Sequence, residues 1–265
     1  MNIIVCIKQV PETTEVRVNP ETNTLIREGV KSIINPFDMY AIEEAVRLKE
    51  KLGGKIVVIT MGPPQAECAL REAISLGIDE AVLICDRAYA GSDTWVTSFT
   101  LAAAVKELNE VSGFKYDLII CGKQASDGDT AQVGPGIATH LDIPQVTYVK
   151  KVEEIKDNVI RVERMMEEGF EIIEVSLPCL FSVVKEINEP RIPSLKGMMK
   201  AKSAKVNVWS QKELNLDAQS IGLCGSPTQV VKIFTPAHRE GGQILTGETE
   251  NIAIKLVELL KNEIN

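Results

Sequence analysis

The 265-residue chain is poor in the groups that metal and nucleophile chemistry require. It has two histidines and six cysteines, at 6, 68, 85, 121, 179 and 224, with no C-x-x-C pair. Neither a zinc site nor an iron–sulfur cluster has its ligands at usable spacing, so no metal is expected. There is no G-x-S-x-G elbow, and His140 lies in a helical pattern while His238 lies in a C-terminal arm. No side chain is therefore expected to serve as catalytic acid, base or nucleophile, and any redox chemistry must be brought by a cofactor. Apolar runs stop at strand length, as in IIVCI (3–7) and AVLIC (81–85), far short of the roughly 18–20 residues that cross a bilayer. Basic residues are in deficit, 29 against 37 acidic ones for a net charge of −8, which argues against nucleic acid or an anionic membrane as partner. The N-terminal MNIIVCIKQVPE lacks a basic n-region, so it reads as a first strand rather than a targeting peptide. A cytoplasmic, reducing setting with core cysteines is the expectation.

What the chain does have is alternation. Over the first 145 residues, the runs 3–8, 55–60, 81–85 and 117–121 are interleaved with helical patterns at about 36–52, 65–76 and 92–109. Continuous Val/Ile runs mark strands buried on both faces, and helices between them mark a parallel sheet. The fold class predicted is α/β: a doubly wound, mostly parallel sheet with helices on both faces. Asn35-Pro36 supplies an N-cap and a proline for the first helix, Ala41, Ile42, Ala45, Leu48 and Leu52 its apolar stripe, and Gly53 its stop. Ala66, Leu70, Ala73 and Leu76 stripe the second; Ser92 or Asp93 caps the third.

Beyond Pro144 the pattern shortens. Residues 147–152, 159–164 and 170–175 alternate as strands of a small antiparallel extension. Residues 186–208, with Pro190, Pro193 and several lysines, show no sustained period and read as an exposed extended segment. QVVKIF (229–234), a glycine turn at 241–242 and a helix at about 249–262 complete a C-terminal arm. The division predicted is 1–145, a nucleotide-binding domain; 146–208, the extension and a partner-facing loop; and 209–265, an arm that needs something else to pack against.

Ligands of open parallel sheets sit beyond the carboxyl ends of the strands. The loop 122–136, GKQASDGDTAQVGPG, follows a strand and leads into a helix at 133–141. Gly128, Gly134 and Gly136 permit close backbone approach, and Ser126, Thr130, Gln132 and the helix start offer donors to a phosphate. Together with the end of the first strand, Asn35–Asp38 and Met61-Gly62, this loop would line a slot for an adenine ring and ribose. The loop 86–97 is also unusually polar, with Asp86, Arg87, Ser92, Asp93, Thr94 and Thr97. Structural alternatives stay open for both loops, and Met61 would serve equally as a core gap-filler. Asp127, Asp129 and Thr130 would serve equally as a cap and Asx turn, Ser92 and Asp93 as a capping pair, Asp86 and Arg87 as a solvated ion pair.

Four stretches read together go further: NPFDMYAIEEAVRLKE (35–50), TMGPPQAECALREAISLGID (60–79), CGKQASDGDTAQVGPGIA (121–138) and LPCLFSVVKEINEPRIPSLKGMMKAK (177–202). In these, at the expected positions, the chain resembles the β subunit of electron-transfer flavoproteins over essentially its full length. The resemblance implies a heterodimer with a flavin-bearing α subunit. It also implies contacts to the adenosine and phosphates from Cys6, Asn35, Pro36, Phe37, Asp38, Met61, Gly62 and the loop residues Gly122, Gln124, Ala125, Asp127, Gly128, Asp129, Thr130, Ala131, Gln132 and Val133.

The family divides at this subunit. Simple carriers hold AMP in the slot, whereas bifurcating members hold a second FAD. The segment DRAYAGSDTWVTS (86–98) resembles the bifurcating branch, which implies that Ser92, Asp93, Thr94 and Thr97 border the rest of an FAD. In that branch NADH is the transient hydride donor, and electrons part between a flavin-dependent dehydrogenase and ferredoxin. The stretch Asn188–Lys200 is similar to the family's recognition loop, so Pro190, Arg191, Leu195 and Met198 would meet the dehydrogenase, more in keeping with an acyl-CoA than a hydroxy-acid type. Ile192-Pro193 and Lys196-Gly197 depart from the commoner form of that loop.

Overall fold

The computed structural model describes residues 1–12, 17–18, 25–26, 31–232 and 242–264. Its elements in chain order are β1 (Ile3–Cys6), β2 (Gln9–Pro11), β3 (Arg17–Val18), β4 (Leu25–Ile26), β5 (Ser32–Ile34), α1 (Pro36–Leu52), β6 (Ile56–Met61), α2 (Glu67–Ser75), β7 (Glu80–Ile84), α3 (Thr94–Ser112), β8 (Leu118–Gly122) and α4 (Val133–Leu141). There follow β9 (Gln145–Lys156), β10 (Val159–Met165), β11 (Phe170–Ser176), β12 (Cys179–Val183), α5 (Leu195–Ser203), β13 (Val206–Trp209), α6 (Gly222–Gly225) and α7 (Thr249–Ile264). One unit comprises Met1–Arg17 with Leu25–Val231; α7 belongs to a second, smaller one.

A nine-stranded sheet of order β11-β10-β9-β12-β8-β1-β6-β7-β13 organises the larger unit. From β9 to β13 every neighbouring pair is parallel, and β10 and β11 are added antiparallel at one side. The predicted α/β class is what forms, and the antiparallel extension continues the main sheet edge-on. Segment 146–208 contributes to both flanks of this sheet: β12 pairs with β8 on one side and β13 with β7 on the other.

Alternation along each buried strand divides the core by face. Ile3, Val5, Ile56 and Val58 pack with Ala41, Ile42 and Ala45 of α1 and Leu70 and Ala73 of α2. Ile4, Cys6, Val57 and Ile59 pack with Val96, Leu101 and Val105 of α3 and Ile137 and Ala138 of α4. Each such fully buried aliphatic side chain contributes about 1.5–3 kcal/mol, which is why these uninterrupted runs form strands.

Three sequence expectations are corrected. Asn35 begins α1 but makes no side-chain cap, its amide being engaged elsewhere. Residues 186–208 are not simply extended: Ser194 caps α5, its Oγ accepting from the Gly197 amide at 3.0 Å, and β13 follows. The described part of the predicted strand 229–234, residues 229–232, is not a strand; residues 233–234, His238 and Gly241 of the predicted turn lie outside the described residues. β12, whose five residues are all buried, lies outside the strands expected from sequence.

Candidate functional site

Chain order along the sheet locates a crevice. From β1 the chain moves outward through β6 and β7, then returns to place β8 on β1's other side. The strand order reverses between β1 and β8, and ligands of open parallel sheets bind at the carboxyl ends there.

Asp38, in the first turn of α1, joins these two strand ends. Its Oδ2 accepts the Lys8 amide at 2.7 Å and its Oδ1 the Gly122 amide at 3.1 Å. The carboxyl group is buried, and burial pushes its pKa up to about 7 against the lowering effect of these amide donors and Asn35. Cys6 and Cys121 lie beside it in paired register, and burial, with the Asp38 charge nearby, raises both thiols. Gly122 cannot be replaced without movement: a Cβ there would come within 2.4 Å of Asp38 Oδ1 and 2.6 Å of the Phe37 carbonyl carbon.

Asn35 stitches α1 to the loop after β8. Its Nδ2 donates to the Gln124 carbonyl at 2.8 Å, and its Oδ1 accepts the Ser126 amide at 3.1 Å. Lys8 Nζ reaches Asp127 at 2.6 Å, and the Gln124 amide donates to Asp129. Between these ties the backbone is forced: Asp129 and Ala131 sit at φ 56° and 55°. Non-glycine residues in that region cost on the order of 1–3 kcal/mol each, and such strain gathers at ligand sites. The Gly128 and Asp129 amides turn back onto the Ala125 carbonyl at 3.3 and 2.8 Å. The outcome is a backbone cradle that leads into the first turn of α4, where amide donors and the helix dipole favour an anion.

Glycine roles differ from the sequence reading. A Cβ on Gly134 would lie 2.6 Å from Cys121 Sγ, and one on Gly136 would lie 2.5 Å from Ser98 Oγ. These two let α4 sit close on the sheet and on α3, so they serve packing. Gly128, with no atom within 4 Å of a built Cβ, is the one open to a ligand.

The 86–98 loop adjoins this cradle through Thr94, whose Oγ1 donates to Gln132 Oε1 at 3.0 Å. Its other polar groups brace the loop. Asp86 accepts from the Ala88 and Gln211 amides rather than pairing with Arg87. Ser92 Oγ donates to the Tyr89 carbonyl at 2.7 Å. Asp93 caps α3 through the Val96 amide and accepts both the amide and hydroxyl of Thr228. The Thr97 amide closes on the Asp93 carbonyl at 2.9 Å. Ser226 and Thr228 carry no local signal for this role, because the contact spans more than 130 residues.

Met61 is partly exposed at the end of β6, and the Gly62 amide donates to the Ile84 carbonyl at 3.0 Å. A groove beside the crevice, lined by Phe37, Lys123, Tyr148, Arg164 and Val184, was also not read from the sequence. Tyr148 sits at φ 60° within β9, a backbone irregularity without a local sequence signal. Among the described residues, no cluster of His, Cys, Asp and Glu is arranged to hold a metal, and no helix is long and apolar enough to cross a membrane.

An open, mostly parallel sheet with a tied, strained loop at its switch point defines an α/β protein of the doubly wound class with a crevice at its strand ends. The chain belongs to the electron transfer flavoprotein family, on its beta-subunit side: the family model for the electron transfer flavoprotein domain matches residues 22–214. It is 54% identical over 263 residues to an electron transfer flavoprotein subunit beta of Thermoanaerobacterium thermosaccharolyticum, covering 99% of this chain and 98% of that one. It is similar to subunit CarD of the caffeyl-CoA reductase-Etf complex of Acetobacterium woodii, 49% identical over 265 residues and 99% of each chain. Protein FixA of Azotobacter vinelandii is 48% identical over 242 residues, 90% of this chain and 85% of that protein.

Proposed function

We propose that this chain is the β subunit of a bifurcating electron-transfer flavoprotein, paired with a flavin-bearing α subunit and holding its own FAD at the β1/β8 crevice. The observation that carries the reading is the bond from Thr94 to Gln132, which sets a second polar loop beside the phosphate cradle. A cradle alone suits AMP; a cradle continued by the 86–98 loop suits a longer dinucleotide. FAD, when bound, supplies the chemistry of accepting a hydride from NADH and parting its electrons between the α-subunit flavin, with its dehydrogenase, and ferredoxin. This chain's own groups bind and orient. Backbone donors of 130–134 would hold the pyrophosphate, Cys6, Phe37 and Met61 would border the adenosine, and Thr94 and Thr97 would border the remainder. Buried Asp38 fixes the spacing of the two strand ends on which the slot depends.

Functional division follows: residues 1–145 hold the cofactor, 146–208 carry the docking segment with Pro190, Leu195 and Met198, and 209–265 pack on the α subunit. CarD's membership of a caffeyl-CoA reductase complex supports a CoA-ester enzyme as the electron-exchanging dehydrogenase. Counting cofactors in the purified αβ pair tests the reading. Two FAD per heterodimer and rapid bleaching by NADH without oxygen are expected. One FAD with one AMP would replace it by a non-bifurcating carrier whose nucleotide is structural.

A further inference from the structure

Arg191, expected from sequence to meet a partner protein, folds back onto α1. Its backbone amide and Nε donate to Glu43 Oε2 at 3.1 and 2.7 Å, and its Nη2 donates to Glu43 Oε1 at 3.1 Å. Both terminal nitrogens also engage Glu50, at 2.6 and 3.0 Å. Glu43, only 4% exposed, additionally accepts Arg47 Nε at 2.8 Å. Three residues before Arg191, Asn188 Nδ2 donates to the Tyr40 carbonyl and to Glu44 at 3.0 and 3.1 Å. Every one of these acceptors belongs to α1.

The far end of the same segment is pinned to other elements. Gly197 approaches the Ser75 carbonyl so closely that a Cβ would lie 2.1 Å from it. Lys200 Nζ donates to the Ile78 carbonyl at 2.8 Å, and Arg71 donates to the Ala201 carbonyl at 2.7 Å. Between the two anchorages Ile192 and Leu195 stand 89% and 72% exposed.

A guanidinium whose fork is closed on two carboxylates has few donors left for a partner. Its place explains the apolar tip instead. A tip held in one shape before docking loses little freedom on docking, and that saving appears as affinity. We propose that Arg191 is a positioning residue: by closing on Glu43 and Glu50 of α1 it holds residues 188–195 in the shape that presents Ile192 and Leu195 to a redox partner. This rests on the reading of 188–200 as the docking segment. The electrostatics agree, because burial raises the Glu43 carboxyl pKa but the Arg191 and Arg47 donors outweigh it and hold the group ionised.

The test uses the co-expressed αβ pair with Arg191→Lys, Arg191→Ala, Glu43→Gln, Glu50→Gln and the Arg191→Ala/Glu43→Gln double variant. Glu50 is exposed, so its variant tests the clamp even if Glu43→Gln fails to fold. Three readouts are taken: amide exchange over 188–195, flavin content with NADH reduction rate, and KM and kcat toward an acyl-CoA dehydrogenase that the parent pair reduces. The expected result is faster exchange, a KM raised roughly 3- to 10-fold, unchanged kcat and flavin content, partial rescue by lysine, and a double variant no worse than Arg191→Ala. A KM raised by Arg191→Ala but by neither glutamine variant, with additive effects, would mean direct contact with the partner and would overturn the proposal. Unchanged exchange in all variants would overturn it too. Faster exchange with KM unmoved in every variant would overturn the docking role, while flavin content and NADH reduction report separately on the cofactor reading.

Discussion

Asp38 shows how one side chain serves both the fold and the site. Its pKa moves from the ordinary 3.8 to about 7, so the folded state holds the proton over a range where the unfolded chain has released it. Folded protein therefore binds more protons between those values, and this group's contribution falls as pH rises through the window and levels off above about 7. The displacement corresponds to about 4 kcal/mol at most. Asp38→Asn removes the titration but presents an amide nitrogen to one of the two backbone donors. The variant is expected to be less stable than the parent at pH 5 and to close much of that gap by pH 8, followed as the difference in urea midpoints. A gap independent of pH would mean that Asp38 titrates normally. At this scale the sequence was half legible. Local rules make Asn35 a cap, whereas its side-chain amide bridges to residues 124 and 126. Side-chain bonds across some 90 positions leave no local pattern.

Elements were read best where burial on both faces wrote them. α1 was expected at 36–52 and α4 at 133–141, and both are found there. Strands β1, β6, β7 and β8 fall within a residue or two of their runs, because an uninterrupted Val/Ile stretch has few stable uses other than a covered parallel strand. β12 and α5 were missed for opposite reasons. β12 sits directly behind Leu177-Pro178 and includes Ser182, so its five residues resemble the end of a loop. α5 buries only Ala201 and contains Gly197; tertiary contacts, not an apolar stripe, make it helical. Ser194, three residues before Gly197, was its one readable signal. Gly197→Ala is accordingly expected to destabilise by about 1–3 kcal/mol through overpacking against Ser75, with amide exchange accelerating across 195–203 but not across β6. Equal exchange in both forms would mean that α5 does not rest on that contact.

At the scale of the molecule, α7 exposes Ile254, Leu256, Val257 and Leu260, an apolar surface characteristic of a helix that awaits a partner. Association with the α subunit is expected to slow amide exchange over 249–264 by about tenfold or more; no change on pairing would place the contact elsewhere. Topology explains why the sheet could not be completed from sequence. The crevice is built by residues before 134, and β12 and β13 come later to close the flanks. That late closure bears on how the protein is made. When a nascent chain has passed its first 145 residues out of the ribosome, the outer edge of β8 has no neighbour and its amides and carbonyls are open to other chains. Only after residue 183 emerges does β12 cover it, so translation that stalls between those two points should yield aggregating fragments rather than a folded half.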